Sequence, residues 1–230
     1  MHYRSIRIWD LPTRVFHWLL LALVIGSIVS VKIGGNAMLW HGRFGQSILG
    51  LIVFRLLWGF VGSTYARFAQ FVRGPHAIRA YLAGRWQGLG HTPLGALSVL
   101  ALLGVIGFQA VSGLFANDDI AFHGPLYRAV SESVSNRISG WHRNAEWLIY
   151  ALVALHVLAI LYYAIVKKVE LVKPMITGVK RVAADGEPAR GGSVLALIGA
   201  LAAAAFTLWV ASGGLLPTPV PVPPAPDLGW

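Results

Sequence analysis

WHRNAEWLIYALVALH, residues 141–156, decides the reading of this chain. His142 and His156 stand fourteen residues apart, and no charge interrupts Trp147 to Leu155 between them. In an α-helix, fourteen residues descend roughly 21 Å and return to within about 40° of the same face. One helix therefore presents two imidazoles on one side, one toward each surface of a bilayer. An ionisable ring among Leu, Ala and Val at membrane depth is costly unless its nitrogens are engaged.

The rest of the sequence supports a membrane setting. The 230 residues are 56% hydrophobic and 12% charged, with a mean hydropathy of +0.64; a soluble domain carries about 25% charged residues. Cysteine is absent, which excludes disulfides, iron–sulfur clusters, zinc-thiolate sites and haem attached through C-x-x-C-H. Five apolar stretches, at 15–33, 44–63, 94–116, 144–166 and 193–213, each approach the ~20 residues needed to cross ~30 Å of hydrocarbon. They are continuously apolar and do not alternate, so they predict helices and not the strands of a barrel. The first contains His17 and Trp18 and lacks a small-residue cleavage site, so it reads as a retained helix.

Charge sets the expected orientation. Thirteen Lys and Arg fall before the first stretch, between the second and third, and after the fourth; the opposite loops hold five, together with Asp118, Asp119 and Glu132. The positive-inside rule puts the N-terminus in the cytoplasm and the C-terminus in the periplasm of a bacterial inner membrane. The net charge of +10 is thus a topology signal, and nucleic acid is not an expected partner. The expected organisation is a four-helix unit over residues 1–179, a cytoplasmic linker at 180–192, a fifth helix at 193–213 and a Pro-rich periplasmic tail at 214–230.

The histidines pair by depth. His41 and His142 lie at the periplasmic starts of the second and fourth stretches; His17 lies one turn into the first and matches His156. Each level offers two imidazoles with no thiolate or carboxylate beside them, too few for a tetrahedral zinc site. Two axial ligands suffice for haem, because the porphyrin supplies the other four nitrogens. The expected fold is an all-α membrane protein, a four-helix transmembrane bundle with two non-covalent haem b groups and a fifth C-terminal transmembrane helix. Small residues, including Gly26, Gly45, Gly59, Gly104, Gly107, Ser112 and Gly113, either make room for the macrocycles or serve close helix packing. Arg55 lies fourteen residues after His41, so it either meets a propionate of the cytoplasm-side haem or snorkels to the interface. Arg143 lies at the outer rim, within reach of a propionate or an acidic partner.

RVFHW (14–18), HGRFGQSILGLIVFRLLWGFVGSTYARF (41–68), GHTPLGALSVLALLGVIGFQAVSG (90–113) and WHRNAEWLIYALVALHVLAILYY (141–163) resemble the bacterial cytochrome b561 family, near the b-type cytochrome subunits of nickel–iron hydrogenases. The resemblance covers about residues 4–170. It implies a four-helix dihaem cytochrome with His41 and His142 on the periplasm-side haem and His17 and His156 on the cytoplasm-side haem. It also implies electron exchange with the quinone pool near the cytoplasm-side haem. A periplasmic c-type cytochrome or a dehydrogenase or hydrogenase subunit is the implied partner. The fifth helix and the Pro-rich tail depart from the usual pattern. His91, Thr92 and Arg14 are the candidates for the quinone site; for His91 and Thr92 the alternative is a helix entry, with Thr92 capping and Pro93 in the first turn. The expected function is electron transfer across the membrane between a periplasmic redox partner and quinone, as part of a quinone-linked oxidoreductase. The alternatives are a self-contained enzyme taking electrons from a small reductant such as superoxide, with Glu146, Arg143 and His123 outside, and a non-haem anchor or transporter.

Overall fold

Asp10 starts the first membrane helix. Its carboxylate accepts the Thr13 N–H at 2.7 Å, and Pro12 occupies the first turn, where a missing N–H costs nothing. The computed structural model describes residues 3–120, 122–183 and 186–217. Strand β1 is Tyr3–Arg7 and helix α1 is Leu11–Ile33. They are followed by α2 (Met38–Val61), the short α3 (Phe68–Phe71) and α4 (Pro75–Leu82), then α5 (Pro93–Phe115) and α6 (Glu132–Ile165). The one-and-a-half-turn α7 (Val172–Thr177), strand β2 (Val179–Ala183) and α8 (Val194–Ala211) complete the order. Helices α1, α2, α5, α6 and α8 are long and apolar enough to cross a membrane. The chain is a helical membrane protein, as its unbroken apolar runs require.

Helix α1 packs on α2, α2 on α5, and α5 on α6, while α8 lies against α2 from outside the ring. Gly50 permits that last contact, since a Cβ there would stand 2.9 Å from Leu208 of α8. Ala200, Ala204 and Ala211 of α8 are buried. The core runs through Phe16, Ile48, Ile52, Phe54, Trp58, Leu103, Ile106 and Ile149. Helices α1 and α6 complete the ring without close backbone packing. A Lys32–Glu146 ion pair at 2.7 Å links them near one end.

Three features differ from the sequence expectation. Helix α6 begins at Glu132, a dozen residues before the apolar stretch. Its polar first turns are bound to the loop after α5: Ser135 Oγ donates to the Phe115 carbonyl at 2.7 Å, and Ser139 Oγ accepts the Asn117 N–H at 2.9 Å. Helix α2 likewise starts ahead of its apolar stretch, at Met38, which leaves His41 in its first turn, whereas His142 lies about three turns into α6. The third difference is a two-stranded antiparallel sheet. β1 pairs with β2, Tyr3 opposite Ala183 and Arg7 opposite Val179, so the segment expected as a loop over 180–192 opens as a strand. Its later residues are also tied down, with Ala189 N–H donating to the Arg7 carbonyl at 2.7 Å and Thr64 N–H to the Arg190 carbonyl at 2.8 Å. Ile6, Ile8, Trp9 and Val182 form a small second core there with Tyr65, Leu89 and Met175. Of the expected Pro-rich tail at 214–230, residues 218–230 lie outside the described residues.

Candidate haem sites

At the end of the bundle away from the sheet, α2 and α6 bring His41 and His142 together. Their ring centroids are 6.0 Å apart with the planes at 90°. Each ring is held by a serine of a neighbouring helix. His41 Nδ1 lies 3.0 Å from the Ser27 carbonyl and 3.1 Å from Ser27 Oγ. A carbonyl only accepts, so Nδ1 carries the proton and the Nε2 lone pair is free. His142 Nδ1 lies 3.0 Å from Ser112 Oγ, whose own proton goes to the Gln109 carbonyl at 3.1 Å. Ser112 Oγ therefore accepts, and Nε2 of His142 is free as well. Holding the second ring nitrogen is the usual way a protein orients a histidine ligand and raises its basicity.

The two rings look into a cavity between α1, α2, α5 and α6, walled by apolar side chains such as Val24, Ile28, Ile106 and Ala110. Gly45 opens onto it, with nothing within 4 Å of a Cβ built there. Gly113 is needed for the approach of α6, because a Cβ would stand 3.0 Å from His142 Cε1. Arg143, Glu146 and Tyr150 belong to the lining on α6. Glu146 accepts from the Tyr150 hydroxyl and pairs with Lys32. Other small residues serve packing: Gly26 lies 2.9 Å, by its would-be Cβ, from the Phe44 ring, and Gly59 is covered by Phe68.

Toward the sheet end, His17 of α1 and His156 of α6 are close enough for their charges to interact. His17 Nδ1 is shut off from solvent and has no hydrogen-bond partner among the described residues. Arg55 does not snorkel, since it is only 3% exposed. Its Nη2 donates to the Ala66 carbonyl at 3.1 Å, its guanidinium stands 5.0 Å over the Phe68 ring, and its Nη1 is buried without a partner.

Of the three quinone candidates, Thr92 caps α5, its Oγ1 accepting the Gly95 N–H at 3.1 Å. Arg14 donates to the Ile176 carbonyl and braces the turn at Gly178, which has φ of +82°. His91 lies between Trp9 and Phe71, with ring centroids at 4.7 and 4.4 Å. Burial foremost, then the charges of Arg55 and His156, push its imidazole down to about 3. His91 is thus a neutral hydrogen-bonding group at physiological pH. His123 stacks on Tyr127 at 4.4 Å in the loop between α5 and α6, where residue 117 bridges to it.

A family model described as prokaryotic cytochrome b561 matches residues 8–178. The chain belongs to the prokaryotic cytochrome b561 family. It is also similar to the probable Ni/Fe-hydrogenase 1 B-type cytochrome subunits of Escherichia coli strain K12 and of Escherichia coli O157:H7. Each is 24% identical over 211 residues, covering 74% of this chain and 88% of the relative. No solved structure matches significantly.

Membership in this b561 family of b-type cytochromes implies haem b, and the far-end pair fits it. The two imidazoles, 6.0 Å apart by ring centroid and each with Nδ1 engaged, line one apolar cavity between four helices and would hold such a group there. Among the described residues no three His, Cys, Asp or Glu side chains converge as a metal site. The roles of Ser27 and the Ser112 hydroxyl escaped the sequence reading. The signal was there, since both are polar residues inside apolar stretches, but which histidine each meets depends on how the helices are rotated.

Proposed function

We propose that this b561-family protein is a two-haem electron carrier of the bacterial cytoplasmic membrane, passing electrons between a periplasmic redox protein and the quinone pool. The observation that carries the reading is the far-end pair: two imidazoles 6.0 Å apart, both with Nδ1 engaged and Nε2 free. His41 and His142 hold one haem b, and His17 and His156 hold the second. Each haem, when bound, supplies a one-electron centre with no open iron position, which suits electron transfer and not oxygen binding.

The chain's own part is to bind, orient and insulate. Ser27 and Ser112 fix the imidazole tautomers, apolar walls keep water from the centre of the bundle, and the unbroken α6 sets the vertical step between the two sites. The sheet end is cytoplasmic in this reading, and the far end, with Arg143, His123 and the loop between α5 and α6, meets the periplasmic partner, a c-type cytochrome or a catalytic dehydrogenase or hydrogenase subunit. The likeness to hydrogenase cytochrome subunits supports the latter kind of partner. Quinone exchanges electrons at the sheet end, where Tyr81, Tyr163 and Thr92 bring three hydroxyls together at the edge of α4, α5 and α6.

The test is haem content and ligation in the purified protein. Two haems b per chain with low-spin, bis-imidazole spectra are expected. Replacing His41 or His142 by Ala should remove one, and replacing His17 or His156 the other. A chain that holds no haem, or keeps both after any of these changes, would sink the proposal.

A further inference from the structure

The sheet end holds two buried nitrogens, a guanidinium donor and an imidazole nitrogen, that nothing among the described residues satisfies. Arg55 Nη1 and His91 Nδ1 are both shut off from water and have no hydrogen-bond partner. A charged donor left unpaired in the interior costs more than the bond it lacks, so such a pair marks a place where an acceptor belongs.

One aromatic wall connects the two. Helix α3 carries Phe68 and Phe71, one turn apart, with ring centroids at 5.6 Å. The Arg55 guanidinium stands on Phe68 at 5.0 Å, and the His91 ring packs on Phe71 at 4.4 Å. Trp9 closes the other side of His91 at 4.7 Å. Gly59 keeps the wall in place, because a Cβ there would enter the Phe68 ring at 2.1 Å. Both donors lie within electrostatic reach of each other, and His91 within reach of His156.

Asp10 is the acid that Arg55 feels, yet it is committed elsewhere. Its Oδ1 accepts from Thr13 N–H at 2.7 Å and its Oδ2 from Trp58 Nε1 at 3.0 Å. Among the described residues Arg55 makes no ion pair.

We infer that Arg55 Nη1 and His91 Nδ1 form a two-donor clamp for one carboxylate of the group held between His17 and His156, a haem propionate. The inference rests on the two-haem reading and gives His91 a task other than the quinone contact expected from the sequence. Arg55 supplies the charge, and His91 adds a neutral N–H whose ring the aromatic wall holds in place. A quinone headgroup presents no anion to a buried guanidinium, whereas a carboxylate satisfies both donors at once.

The experiment uses the full-length purified protein with Arg55→Gln, Arg55→Lys, His91→Phe and His91→Asn. Haem per chain, the midpoint potentials of the two haems, and the rate at which each haem passes to excess apomyoglobin are measured. Arg55→Gln and His91→Phe should speed the loss of one haem about ten- to hundredfold, the worth of one charged hydrogen bond. Arg55→Gln should also lower that haem's midpoint, because a positive charge favours the reduced form, and leave the other haem unchanged. His91→Asn, which keeps an N–H, should restore most of what His91→Phe loses; a merely space-filling role for His91 would give the opposite order. If Arg55→Gln does not fold, Arg55→Lys and the His91 pair decide the matter. Wild-type loss rates and midpoints in all the folded variants overturn the clamp, as does an effect on the haem that depends on His41 and His142. A wild-type chain with only one haem overturns the reading beneath it instead.

Discussion

Replacing Gly113 by alanine probes the proposed far-end haem site without changing either histidine. The new Cβ would stand 3.0 Å from His142 Cε1 and 3.5 Å from Nδ1, where unstrained carbon contacts run about 3.5–4.0 Å. The ring must therefore give by a few tenths of an ångström, which lengthens its 3.0 Å contact with Ser112 or turns it relative to His41. Overpacking of this kind costs about 1–3 kcal/mol, and 1.4 kcal/mol is tenfold in affinity. Haem held by His41 and His142 should thus be retained roughly 5- to 150-fold less tightly, while the second haem is unaffected. Haem per chain after extended dilution, with a redox titration to show which midpoint is lost, reads the effect. Gly104→Ala is the control, since a Cβ there meets nothing within 4 Å. A Gly113→Ala protein with two haems at wild-type midpoints and wild-type retention would refute the geometry.

Other outcomes follow from the same contacts. Ser112→Ala removes the acceptor from His142 Nδ1, makes the imidazole a weaker donor, and should raise one haem midpoint by roughly 20–60 mV, a net hydrogen bond converted at 59 mV per tenfold. Ser27→Ala should do much less, because the Ser27 backbone carbonyl stays 3.0 Å from His41 Nδ1; a redox titration separates the two. His91 should give the wild-type protein an acid-sensitive stability. Its folded value of about 3 lies below the unfolded 6.5, so the unfolded chain binds more protons between those limits and stability falls as pH drops from 6.5 toward 3. His91→Gln should flatten that limb in thermal unfolding from pH 7 to 4, and an unchanged slope would count against the buried, neutral imidazole. Ending the chain after residue 192 should leave haem content and both midpoints intact, because α8 packs chiefly on the back of α2; a spectrum of the truncated protein checks it.

The parts of the molecule written in periodic or unbroken patterns were legible from the sequence. The two histidines of α6 share a face because one uninterrupted helix carries them, and the apolar runs placed all five spanning helices. The polar first turns of α6 were not legible, because hydropathy sees only the membrane-embedded part and the stabilising partners, Phe115 and Asn117, come from another helix end. The sheet was hidden for a related reason: each strand is five residues long, and its partner lies far along the chain. Glycines divided in a way that composition does not reveal. Gly45 faces the cavity and Gly113 lies under the His142 ring, while Gly26 and Gly59 receive phenylalanine rings. That Arg55 would be bonded to Ala66 and seated on Phe68 was not legible, because it depends on a loop whose path no helical period describes.

The pairing of β1 with β2 has a consequence for how the protein is made. Residues 3–7 leave the ribosome before any of the four helices that follow, yet residues 179–183, their partners, emerge only after α1, α2, α5 and α6 have all been synthesised. Chains are built and fold from the N-terminus onward, and a contact between such distant segments forms late because its loop-closure cost comes first. The ribbon that covers the sheet end, together with the Trp9 it brings against His91, is therefore the last closure of the four-helix unit. Until β2 has been synthesised, the nascent bundle is open on that side, and the strand ahead of the first helix waits for the one beyond the fourth.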